Sequence, residues 1–112
     1  MATTECIYSG GGGGNLDYRP NQSLSSGFNP ITTNFKPKYV SYAYIYNNNV
    51  VALWVDFVNE KVYQNYGTNR QNDITGVWYG SSKYIYLDGN TVYFKPYPDH
   101  PLSNSIDVFI YG

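Results

Sequence analysis

Two adjoining stretches constrain this chain more than anything else in it. Lys38–Tyr46 (KYVSYAYIY) and Val50–Val58 (VVALWVDFV) are dense in β-branched and aromatic residues and are separated by three asparagines. Such side chains fit a pleated, half-buried strand and lose rotamer freedom in a helix. Successive strand residues point to opposite faces. The first stretch therefore puts Val40, Tyr42, Tyr44 and Tyr46 on one face and Tyr39, Ser41, Ala43 and Ile45 on the other. The second puts Val51, Leu53, Val55 and Phe57 on a continuously apolar face, opposite Ala52, Trp54 and Asp56. Asn47-Asn48-Asn49 turns the chain between them, since Asn tolerates the backbone angles a tight turn needs.

The same texture continues downstream. Asn59-Glu60 is a short connection into a strand at Lys61–Tyr66, and residues 67–73 (GTNRQND) form a polar loop. Ile74–Tyr79 reads as a short or irregular strand interrupted by Gly76. Ser82–Leu87 and Thr91–Lys95 flank Asp88-Gly89, a strong short hairpin signal. The three prolines of residues 96–101 (PYPDHP) make a loop, and Ser105–Tyr111 is a closing strand. No window shows helical spacing with good helix formers. About seven short strands at regular spacing predict an all-β domain. A small antiparallel β-sandwich is favoured over a barrel, whose closure devices are missing from the strand patterns.

Residues 1–27 differ from the rest. Five consecutive glycines, Gly10 to Gly14, are followed by a polar run with isolated apolar residues at Leu16, Tyr18 and Leu24. No period of 2 or 3.6 survives there. The expected organisation is an extended glycine-rich arm at 1–27 and a sandwich domain at 28–112. A glycine tract is a flexible linker by composition. It is also able to lie close against a neighbouring subunit or add to an open sheet edge. On that second reading the arm contacts are Tyr8, Gly10, Gly11, Gly12, Gly13, Gly14, Leu16 and Tyr18.

Charge excludes several classes of partner. Charged residues make up 13% of the chain, about half the usual share of about 25%. The formal net charge is -1 and the seven Lys and Arg residues are scattered, so no field recruits nucleic acid or an anionic membrane. The longest apolar run, Val50 to Val55, is far short of a membrane span. Neither nucleic acid binding nor membrane insertion is expected.

Catalytic candidates are few. His100 stands beside Asp99 between prolines, without a second histidine for a metal or an evident nucleophile. Cys6 lies in the arm, outside any electropositive setting that would activate a thiol. Asp56 and Glu60 bracket a strand end, and nothing makes them converge on one cleft. The glycine tract lacks the GK[ST] ending of a phosphate loop. The expectation is a non-enzyme with no cofactor and no metal.

The tyrosines, 14 in all, carry more information. Tyr42, Tyr44 and Tyr46, and again Tyr84 and Tyr86, line one strand face each. A phenol buries an apolar body while keeping a polar tip. Three readings stand side by side. The rings belong to a protein interface, where Tyr and Trp are enriched; or they fill a thin core; or, with Trp54, Trp78 and Tyr79 beside Asn69 and Asn72, they form a sugar-stacking platform.

One motif resembles a known group. Phe35-Lys36-Pro37-Lys38-Tyr39-Val40 is similar to a Gly-Phe-x-Pro-Lys-Tyr-Val entry into the first strand of small β domains in tailed-phage virion proteins, with Asn34 where Gly often stands. The closing run Ile106–Gly112, ending in an aromatic-small pair, resembles the end of the same domains. About 80 residues are covered. The resemblance implies a virion structural protein, made in the host cytoplasm, of the capsid-decoration or head- or tail-fibre kind. Its partners would be other copies of itself and other virion proteins. The alternative expectation is a carbohydrate-binding, receptor-recognising sandwich. The motif also has a local logic: Pro37 fixes its own φ and pushes Lys36 into an extended conformation, straightening the chain into the strand that follows.

Overall fold

The fold, taken from a computed structural model, is described over residues 14–46, 48–66, 72–96 and 106–112. Among these residues lie β1 (Leu16–Gln22), β2 (Asn29–Thr32), β3 (Tyr39–Tyr46), β4 (Asn49–Asp56), β5 (Lys61–Tyr66), β6 (Asn72–Asp73), a single helical turn α1 (Thr75–Trp78), β7 (Ile85–Asp88), β8 (Thr91–Phe94) and β9 (Ile106–Tyr111). They form two antiparallel sheets, one ordered β1-β9-β3-β4-β5-β6 and the other β2-β8-β7. The architecture is a small all-β sandwich. Among the described residues no helix is long and apolar enough to cross a membrane.

The core follows from strand register. Tyr46 pairs with Asn49, so the β3–β4 connection is two residues long. Asn48 takes a positive φ of 63°, as the primed turns that match strand twist require. This register sets Val40, Tyr42 and Tyr44 beside Val55, Leu53 and Val51. Val62 of β5 and Ile106, Val108 and Ile110 of β9 complete the inner layer of the large sheet. The small sheet closes over it with Ile31, Ile85, Val92 and Phe94. The Phe94 ring meets Tyr42 edge-on across the interior, centroids 5.2 Å apart.

The second hairpin turns one residue later than the Asp88-Gly89 signal suggests. Asp88 pairs with Thr91, and Gly89 (φ 61°) and Asn90 make the turn.

Besides Asn72–Asp73, read as loop and forming the short β6 on β5, three parts of the sequence reading change. Leu16–Gln22, read as arm, is an edge strand on β9. Asn15 and Gly112 exchange backbone hydrogen bonds, both 3.0 Å. The Arg19 guanidinium donates to both Asp17 carboxylate oxygens (2.6 and 2.9 Å) and to the Thr32 carbonyl (2.8 Å), tying this edge to β2. Pro20 and a register shift before Gln22 hide the period of 2, and both suit an edge strand. Asn29–Thr32, also missed, is β2. Ile74–Tyr79 is mainly helical turn rather than strand. There the Thr75 hydroxyl donates to Asp73 (2.6 Å) and accepts from the Val62 N–H (2.8 Å), pinning the turn on β5. Hydrogen bonds from the Thr75 side chain and backbone hold the Asp73 carboxyl below its usual range. Tyr8 and Gly10 to Gly13 lie outside the described residues.

The Phe35–Val40 segment and the closing strand touch. The Lys38 N–H donates to the Tyr111 carbonyl (2.7 Å) and the Phe57 N–H to the Lys38 carbonyl (2.8 Å). A Cβ on Gly112 would run into the Phe35 ring and lie 2.9 Å from the Lys36 carbonyl oxygen. A glycine at 112 is thus what lets the entry segment seat against β9.

Candidate interaction surface

The same register that builds the core assigns everything of opposite parity to the outside of the large sheet. One row crosses it as Tyr18, Phe109, Ser41, Trp54 and Tyr63. The adjacent row reads Leu16, Tyr111, Tyr39, Asp56 and Lys61. Tyr18 stacks on Phe109 (4.7 Å, 19°) and Tyr39 on Trp54 (5.3 Å, 20°), with Tyr111 tilted against Trp54 at 5.6 Å. Together these rings make an aromatic ridge.

On the other side of the ridge the surface drops. The next row is Ala43, Ala52 and Asn65. Short side chains leave a depression of about 450 Å³, bordered by Asn21, Ser41, Asp107 and Phe109. Beyond it stand Ile45 and Val50, paired across the hairpin and 61% and 52% exposed. Such a face would ordinarily carry Lys, Thr and Glu. Its charges lie at the margins. Asp107 accepts from the Asn21 N–H (2.9 Å), and Lys61 sits 3.6 Å from Asp73. Asp56 is occupied by its own turn, accepting from the Val58 and Asn59 N–H groups and the Asn59 amide. Burial opposes ionisation of Asp56, but these Asn59 and Val58 donors outweigh it and leave the carboxyl below its usual range. The Asp56 carboxylate organises this turn.

A smaller aromatic cluster lies outside the other sheet. Tyr86 and Tyr93 stack at 4.7 Å, Phe28 meets both edge-on, and the Lys95 ammonium lies 5.5 Å from the Phe28 ring. These side chains already satisfy one another.

The residues singled out from sequence separate accordingly. Trp54 and Tyr18 are on the exposed outer face, and Leu16 borders it. Gly14 is exposed ahead of β1. Tyr42 and Tyr44 are not surface residues: both are buried in the core, so the interface reading is corrected for them. Tyr46 ends β3, and its side chain is outside the described set. Trp78 is buried in the core, and Tyr79 is half-buried against Phe57. Tyr84 tilts against Trp78 at 5.5 Å, and Tyr86 belongs to the small-sheet cluster. Trp54 and Trp78 therefore occupy different layers, and the sugar platform expected from Trp54, Trp78 and Tyr79 is not assembled. Asn69, His100, Asp99 and Cys6 lie outside the described residues. Tyr39, Phe109 and Tyr111, the rest of the ridge, and neighbouring Tyr63 were not among the site residues singled out from sequence. A signal for them existed: a two-residue turn at Asn47-Asn48 places Tyr42 beside Leu53, which sends Tyr39 and Trp54 outward.

The position of Tyr42 has a pH signature. Burial, reinforced by neighbouring Tyr44, pushes its phenol well above the ordinary 10.0. A group whose pKa is higher folded than unfolded stabilises the fold fully below the unfolded value and loses that contribution as pH rises past it. Tyr42→Phe is expected to move alkaline unfolding to higher pH. The tyrosinate absorbance difference between the two proteins should appear only as the fold melts. Free titration of Tyr42 near pH 10 would return it to the surface.

The chain matches no protein-family model, no curated protein and no solved structure.

Proposed function

We propose that this protein is a non-enzymatic structural subunit of a virion, of the capsid-decoration or head- or tail-fibre kind, attached to its neighbours through the outer face of its six-stranded sheet. The observation that carries the reading is that face. Its ridge of Tyr18, Phe109, Tyr39, Trp54 and Tyr111 and the exposed pair Ile45 and Val50 stand on either side of the low row of Ala43 and Ala52, with few charges among them. Contiguous apolar patches of this kind mark contact surfaces. The resemblance of Phe35–Val40 and Ile106–Gly112 to virion domains supplies the setting.

Host-glycan recognition ranks second. Exposed Trp54 beside the polar-edged depression favours it. Against it, Tyr39 and Trp54 cover each other's ring faces, as do Tyr18 and Phe109, leaving less open ring face for a sugar.

Quantitative mass spectrometry of purified particles tests the proposal. The chain is expected there at a fixed copy number relative to the main coat protein. Its confinement to the cell lysate would overturn a virion role.

A further inference from the structure

Resting on that structural reading, we infer that the occupant of the outer face is a second copy of this chain, packed sheet to sheet about a two-fold axis. An isologous interface needs a surface complementary to itself. This face is built that way, because its high and low rows are neighbours. The aromatic row through Phe109, Ser41 and Trp54 lies beside the low row of Ala43 and Ala52. The row through Tyr111 and Tyr39 and the row of Ile45 and Val50 flank these two on either side. A two-fold axis crossing the strands between the aromatic row and the alanine row exchanges them. Trp54 of each copy then sits over Ala52 of the other, and Tyr39 over Ile45. Large side chains enter gaps left by small ones, which is how packed sheets interdigitate.

Size and charge agree. The face spans β1, β9, β3, β4 and β5, strands of 7, 6, 8, 8 and 6 residues. At about 4.8 Å between strands and 3.3 Å per residue it measures roughly 24 by 23 Å, about 550 Å² before corrugation. A small specific interface buries about 600–800 Å² per partner. Two copies bring no strong repulsion together, since Lys61 and Asp73 are already paired, Asp56 is bonded within its own turn, and Asp107, which accepts from the Asn21 N–H, comes over Phe109 of the other copy rather than over a like charge.

Sedimentation equilibrium of the full chain tests this. The wild type is expected to be a dimer. Ala52→Arg fills the low row with a charged side chain and is expected to raise the dimer Kd by roughly 100-fold or more, with unchanged circular dichroism and melting. Trp54→Ser, which truncates the opposing ridge, is expected to weaken the dimer in the same direction and serves if Ala52→Arg fails to fold. A monomeric wild type would overturn the inference, as would a dimer that neither folded variant weakens. A monomer that dimerises only after residues 1–13 are removed would overturn it too, because that segment would then be the occupant. A monomer that is nevertheless found in purified particles removes the dimer and leaves the structural role standing.

Discussion

Phe94→Ala is expected to lower the stability of this protein by about 3–5 kcal/mol, the range for deleting a buried aromatic ring. A domain of this kind has about 5–15 kcal/mol in total, so the variant would stand close to unfolding at ordinary temperature. The size of the effect comes from where the ring sits. Phe94 is only 1% exposed and reaches from the small sheet to Tyr42 of the large one. The small sheet contributes four buried side chains, Ile31, Ile85, Val92 and Phe94, to the shared interior, with Leu87 partly buried against them. Removing the largest leaves a cavity that strands paired on both sides, as β8 is, cannot collapse into. Urea unfolding followed by fluorescence of buried Trp78 measures it. A loss under about 1 kcal/mol would mean that the two sheets do not pack through this contact.

Two truncations of the N-terminal segment should behave very differently. Removing residues 1–13 touches none of the contacts described above and is expected to leave the melting temperature nearly unchanged. Removing residues 1–27 strips β1 from β9. It takes away the ladder from Leu16 to Gln22, the Tyr18–Phe109 stack, the Arg19 link to β2, and Leu24 against the core. The unpaired backbone of β9 is then an open edge, a template for association between chains. The longer truncation is expected to melt at least about 10 °C lower, at a few degrees per kcal/mol, and to aggregate on concentration. Differential scanning calorimetry and light scattering compare them. Equal melting temperatures would show that Leu16–Gln22 is an appendage rather than a strand of the sandwich.

Local chemistry accounts for what was legible. Strand positions at β3, β4, β5 and β9 were readable to within one or two residues, because alternating Val, Ile and Tyr bounded by Asn or Pro leave few other options. β1 was not legible, because Pro20 breaks its pattern and its partner lies at the far end of the chain. The turn at α1 was hidden for a related reason. It rests on the Thr75 hydroxyl bridging Asp73 and Val62, a contact between residues 13 apart in sequence.

The candidate site was half visible. Alternation alone divided β3 into a Tyr42 face and a Tyr39 face. It could not say which was inside, since a ring suits a core and a wet rim equally well. The apolar face of β4 held the answer, but only once the hairpin register joined Tyr42 to Leu53. A shift of one residue would reverse every side chain.

By itself, then, the sequence determined that this chain is a weakly charged, aromatic-rich assembly of short antiparallel strands. Those properties depend on each residue's backbone preference and on the residue two positions away. Which phenols are core and which form the exposed ridge, and that a segment following the glycines completes the large sheet, was decided only by tertiary structure. The reason is that burial and edge pairing are properties of strand neighbours, and in this fold β1 and β9 are neighbours with almost the whole chain between them.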